Sequence, residues 1–129
     1  MQPIRGLDRG QTAALLISER QNAMTNSAAA DRMHGMAPFT GTDLDALLRG
    51  FGVETIVLSG ISTNIAPPGA ATEAVALGYN VVLAEDCTAG GTPESHEAQL
   101  GLHLPLLATI SDSRAIAESL TAMRQAAAV

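Results

Sequence analysis

Glu19 and the stretch Ser62-Thr63-Asn64-Ile65-Ala66 are the residues of this chain best suited to chemistry. Glu19 directly follows a short apolar run, which places a carboxylate at the end of a buried strand. There it can serve as a general acid or base, or simply be a solvated charge. Ser62–Ala66 follows a second apolar run and leads into small residues headed by Pro67 and Pro68. A turn that opens a helix points backbone N–H groups and the positive dipole end at one place, a cradle for an anion or an oxyanion. Glu85-Asp86-Cys87 and Ser111-Asp112 follow two further apolar runs. Ligands of open parallel sheets bind beyond the carboxyl ends of the strands, where all these groups are expected to gather.

Several chemistries are disfavoured. Gly60–Ala66 lacks both the dinucleotide fingerprint and the Walker lysine. His34, His96 and His103 are dispersed. His96 and His103 are spaced to share one helix face but have no third ligand, so they read as surface or packing residues and no metal is expected. Asn64 at a helix start reads as a cap. Cys87 is expected in a loop leaving the third strand, as a small buried or half-buried thiol.

The elements that must hold these groups are legible as periodicity and punctuation. Thr12–Ser18 is continuously apolar, which suits a strand covered on both faces. Residues 1–11 are polar with Pro3, Gly6 and Gly10, and read as an arm. Residues 23–38 carry few signals beyond a possible helical turn at Ala28–Ala30. Thr42 is a good N-cap, and Leu44, Leu47, Leu48 and Phe51 form one apolar stripe that Gly50 or Gly52 can end. Thr55–Ser59 is a strand, Pro67–Leu77 a helix closed by Gly78, and Asn80–Ala84 a strand. Thr92-Pro93-Glu94 opens a helix to about His103, which Pro105 stops. Leu106–Ile110 is a fourth strand. A last helix follows Ser111–Ser113, with Ile116, Leu120 and Met123 in line. Alternating helices and strands with short connections predict an α/β fold with a parallel sheet.

Composition bounds the partners. The 129 residues suit one domain spanning 1–129 with an aliphatic core, since aromatics are nearly missing. Net charge is −6, with seven scattered arginines and no lysine. No basic patch exists, so neither nucleic acid nor a membrane surface is an expected partner. The lone Cys87 excludes an internal disulfide. No apolar leader or membrane-length run is evident, and a cytoplasmic location is the expectation.

Three blocks resemble the isochorismatase-like hydrolase superfamily, whose amidohydrolase branch consists of cysteine hydrolases. They are Ala14–Asn22, with Glu19-Arg20-Gln21-Asn22 similar to the family's Asp-x-Gln-Asn; Phe39–Leu48 followed by Gly52–Gly60; and Gly60–Ala66 running through Gly78–Asp86 to Pro93–Glu97. The resemblance implies a three-layer αβα sandwich, Rossmann-like and often oligomeric, that hydrolyses small amides or the vinyl ether of isochorismate without a cofactor. In the amidohydrolase branch a Cys attacks the carbonyl, an Asp moves protons and a Lys holds the constellation, beside a cis peptide bond that shapes the oxyanion hole. Carried over, the Asp position falls on Glu19, the Lys position on Arg32 just before His34, the Cys position on Ala66 and the cis bond on Ile61–Ser62. Arg32 keeps a charge but cannot cycle protons, and Ala66 offers no nucleophile. The isochorismatase branch also lacks the Cys and relies on an acid, a role that Glu19 fits.

Only Ala23–Asp31 spans the interval where relatives hold further strands and a helix, and one βαβ crossover alone takes about thirty residues. The sheet is therefore expected to be shortened by about two strands, leaving an open edge and bare apolar surface on the first strand. A naturally short homologue, an internal deletion and a chain covered by a partner subunit all fit. The expected function is hydrolysis of a small molecule by a non-covalent acid/base mechanism with Glu19, with Ser62, Thr63, Asn64, Ile65 and His34 against the substrate. The alternative is an inactive member that binds a ligand or forms a homo-oligomer.

Overall fold

The computed structural model describes residues 3–18 and 37–128. Glu19, Arg32, His34 and the Ala28–Ala30 turn lie outside the described residues. The elements are β1 (Ala13–Ser18), α1 (Leu44–Gly50), β2 (Thr55–Ile61), α2 (Ala66–Ala76), β3 (Asn80–Ala89), α3 (Pro93–Ala98), β4 (Thr109–Ser111) and α4 (Ser113–Ala127). The strands form one parallel sheet in the order β1-β2-β3-β4.

Side chains alternate across the sheet, and each face has its own core. Ile56 and Leu58 of β2 and Val81 and Leu83 of β3 meet Ala70, Ala71 and Ala74 of α2. These alanines are fully buried, so small side chains let α2 lie close on the strands. Fully burying a residue such as Leu58 contributes about 1.5–3 kcal/mol. On the other face Val57, Val82 and Ala84 meet Ile116 of α4 and, from the arm, Ile4 and Leu7. The arm is thus part of the core rather than a loose polar leader. The Thr55 hydroxyl donates to the Gly6 carbonyl at 2.6 Å and fastens it. Helices on one face and α4 with the arm on the other give the three layers of an α/β sandwich.

The caps explain where the helices stop and start. Gly78, at φ 92°, follows α2 in a left-handed conformation that a side chain would resist. The N–H groups of Gly78 and Tyr79 donate to Val75 and Ala74, closing the helix end. Thr92 accepts from the Ser95 N–H to cap α3, and Asp112 accepts from the Ala115 N–H to cap α4.

Four expectations need correction. The stripe on α1 is only half used: Leu44 and Leu48 pack on the core, whereas Leu47 and Phe51 face solvent, Phe51 at 78% exposure. The helix is too short to carry a full stripe inward. The α-helix after Thr92 ends at Ala98 and continues as a π turn (Gln99–His103) and a 3-10 turn (Leu104–Leu106). Pro105 lies inside that last turn, so the fourth strand starts only at Thr109, and Leu106 is 81% exposed. Finally, β3 does not stop at Ala84. It resumes pairing with β2 at Gly60↔Thr88 and Ile61↔Ala89 after an irregularity opposite Ser59.

Candidate active site

The carboxyl end of β2 is where the chain makes its turn into α2. The Ile61–Ser62 peptide bond is cis, at the position that the family resemblance assigned to it. The Ile65 N–H then donates to the Ser62 carbonyl at 2.8 Å, and α2 begins at Ala66. Ala66 is 3% exposed, so a methyl group and not a reactive one stands at the helix start. Ser62 is half-buried, while Asn64 and Ile65 face solvent. Asn64 does not cap α2: the cap position belongs to Ile65, without a side-chain hydrogen bond.

Thr63 is turned inward. It is fully buried, its N–H donates to the Ala89 carbonyl at 2.9 Å, and its hydroxyl is hydrogen-bonded to Nδ1 of His96 at 2.8 Å. Thr63 therefore ties the turn to the end of β3 and to α3. His96 is the site residue that sequence reasoning missed. His103 lies on the π turn that follows α3, and its Nδ1 is hydrogen-bonded to Gln99 at 2.9 Å.

Beyond β3, Glu85, Asp86 and Cys87 occupy the irregular stretch of the strand and are exposed, in place of the loop and the buried thiol expected. Asp86 accepts from the Ser113 hydroxyl at 2.6 Å and the Ser113 N–H at 2.7 Å. These bonds, the hydroxyl's first, hold its carboxyl below the usual carboxylate range. With Asp112 it places two carboxylates at the start of α4, where the helix dipole favours them. Asp86 is thus occupied in fastening α4. Cys87 borders a cavity of about 260 Å³ beside Ser59, Ala84, Ser113 and Ile116, on the α4 side of the sheet. That is the face opposite α2, away from Ala66.

The same cavity is floored by β1. Leu15 and Ile17 are 64% and 51% exposed, so the edge strand of the described sheet carries bare apolar side chains on that face. Among the described residues no three His, Cys, Asp or Glu side chains gather to hold a metal ion. No described helix is long and apolar enough to cross a membrane.

Comparisons with known proteins agree with this geometry. The chain is 41% identical over 85 residues to an uncharacterised isochorismatase family protein of Escherichia coli O157:H7, covering 66% of this chain and 44% of the relative. It is 31% identical over 91 residues to nicotinamidase 3 of Arabidopsis thaliana, covering 70% of this chain and 46% of the relative. An isochorismatase family protein of Burkholderia thailandensis superimposes with a TM-score of 0.66 at 35% identity, covering 69% of this chain and 47% of that one. The chain spans less than half the length of these relatives. The isochorismatase domain model matches residues 5–115. With that match, the parallel sheet and the turn at Ile61–Ala66 in place, the chain belongs to the isochorismatase family.

Proposed function

We propose that this protein hydrolyses a small molecule, an amide C–N bond or a vinyl ether, by acid/base chemistry without a covalent enzyme intermediate. The observation that carries this reading is Ala66, buried at the first residue of α2 within a family match over residues 5–115. In an amide substrate, Glu19 takes a proton from the attacking water and returns it to the leaving nitrogen. The Thr63 and Ile65 N–H groups are engaged with the Ala89 and Ser62 carbonyls, so the oxyanion that forms meanwhile is met by the positive dipole end of α2 at Ala66. In a vinyl ether, Glu19 protonates the double bond, water adds to the resulting oxocarbenium ion and returns a proton to Glu19, and the hemiketal so formed breaks its C–O bond to release a carbonyl compound and an alcohol. Arg32 supplies a fixed positive charge, and His34 with Ser62, Asn64 and Ile65 borders the substrate.

The similarity to a nicotinamidase makes nicotinamide the first amide to try, beside isochorismate. Turnover of both is compared for the native chain and Glu19→Gln. Loss of most of the rate, at least about 100-fold, is the expected result. Equal rates, or no rate above the uncatalysed reaction for either protein, sink the catalytic reading.

A second reading is an inactive family member that binds a ligand or forms a homo-oligomer. The bare Leu15 and Ile17 on the β1 edge favour it, because apolar surface of this kind calls for a cover.

A further inference from the structure

We infer that His96 is a positioning residue: it holds Thr63, and through Thr63 the Ile61–Ala66 turn, in the shape that presents the turn to a ligand. The inference deepens the reading of that turn as a binding floor and rests on it. Three segments meet at this point. The turn leaves β2, the Ala89–Gly90 stretch leaves β3, and α3 opens at Pro93. Thr63 contributes a fully buried side chain, with its hydroxyl 2.8 Å from His96 Nδ1 and its N–H on the Ala89 carbonyl.

His96 is itself fixed from two sides. Its N–H donates to the Thr92 carbonyl at 3.0 Å, in the first turn of a helix capped by the Thr92 side chain. Gly90 lies against it so closely that a Cβ there would sit 3.0 Å from His96 Cβ and 3.3 Å from its backbone N. The absence of a side chain at Gly90 lets α3 approach the end of β3, and this approach brings the imidazole within reach of Thr63. His96 is half-buried, so removing the imidazole exchanges a fixed partner of the Thr63 hydroxyl for mobile water and loosens the tie between the turn and α3. The turn then gains freedom to open while the strand behind it stays covered.

Amide hydrogen exchange tests this, because it reports local opening residue by residue. His96→Ala and Thr63→Val remove the bond from either side. His96→Asn keeps a polar atom near the Nδ1 position, and Thr63→Ser keeps the hydroxyl. The two disruptive variants are expected to lose protection about tenfold at the Ile65 amide, with little change at Ile56–Leu58 of β2. The two conservative variants are expected to restore it. Unchanged protection at Ile65, an equal loss throughout β2, or no restoration overturns the inference. Should His96→Ala not fold, the nearly isosteric Thr63→Val carries the same comparison. Turnover does not enter this readout, so a protein without hydrolase activity can still pass it and an active one can still fail.

Discussion

The carboxylate of Glu73, in the middle of α2, receives the backbone N–H of Phe39 at 2.9 Å from 34 residues away. The Thr40 N–H at 3.0 Å and the Thr40 hydroxyl bond the same carboxylate. One acid thus anchors the segment that leads into α1, and Phe39 beside it is buried against Tyr79. Glu73→Gln replaces one acceptor oxygen by a donor facing an N–H or a hydroxyl. We expect a loss of about 1–2 kcal/mol in unfolding free energy, read from urea melts at neutral pH. A transition midpoint equal to that of the native chain would show that the anchor is dispensable.

Tyr79 gives the protein an alkaline signature. Its ring is buried, its hydroxyl donates to the Asp45 carboxylate at 2.6 Å, and the Arg49 guanidinium lies 4.3 Å above the ring centre. Burial first, and then the bond to Asp45, raise the phenol above its ordinary 10.0, against an opposite pull from Arg49. In the unfolded chain the phenol ionises near 10.0, so above that pH the unfolded state holds fewer protons than the folded one. Stability from this source is complete below pH 10.0 and falls as pH rises through the folded value. The chain has no other tyrosine and no lysine, so little else titrates there. Tyr79→Phe is expected to flatten the alkaline decline seen in denaturant melts, while costing about 1 kcal/mol at neutral pH. An identical decline in both proteins would assign it elsewhere.

Leu15 and Ile17 bear on association. Among the described residues β1 is an edge strand without charge or proline, and these exposed side chains favour its association with a further chain. The native chain is expected to elute above monomer mass at high concentration and to bind an apolar dye. Leu15→Glu with Ile17→Lys is expected to shift elution to the monomer and to reduce dye binding by about half or more. A native chain that is monomeric at every concentration rules out association through this face.

The order of helices and strands was readable because its signals are local. Apolar runs marked β1 to β3, Gly78 closed α2, and Thr92-Pro93 opened α3. What escaped was set by distant partners. Glu85-Asp86-Cys87 is polar and reads as a loop, yet β3 continues beyond it because Thr88 and Ala89 find Gly60 and Ile61. Ile4 and Leu7 sit among polar residues and show no period, but the sheet face beneath α4 recruits them. The site divides in the same way. The cis bond at Ile61–Ser62 followed from the family's pattern, whereas the Thr63–His96 bond joins residues 33 apart in sequence and leaves no trace in spacing. Asp86 was read as a group near the ligand, and its bonds to Ser113 show a structural task.

The two faces of the sheet do not depend on the same parts of the chain. One is covered by α1 and α2, which lie between strands they connect. The other combines residues from Ile4 and Leu7 with Ile116 and Met123. During synthesis the first face can be covered while the chain is still growing. The second has only the arm to cover it until α4 has emerged. α4 therefore acts as a latch, and a chain interrupted before it would leave Val57, Val82 and Ala84 with only Ile4 and Leu7 over them.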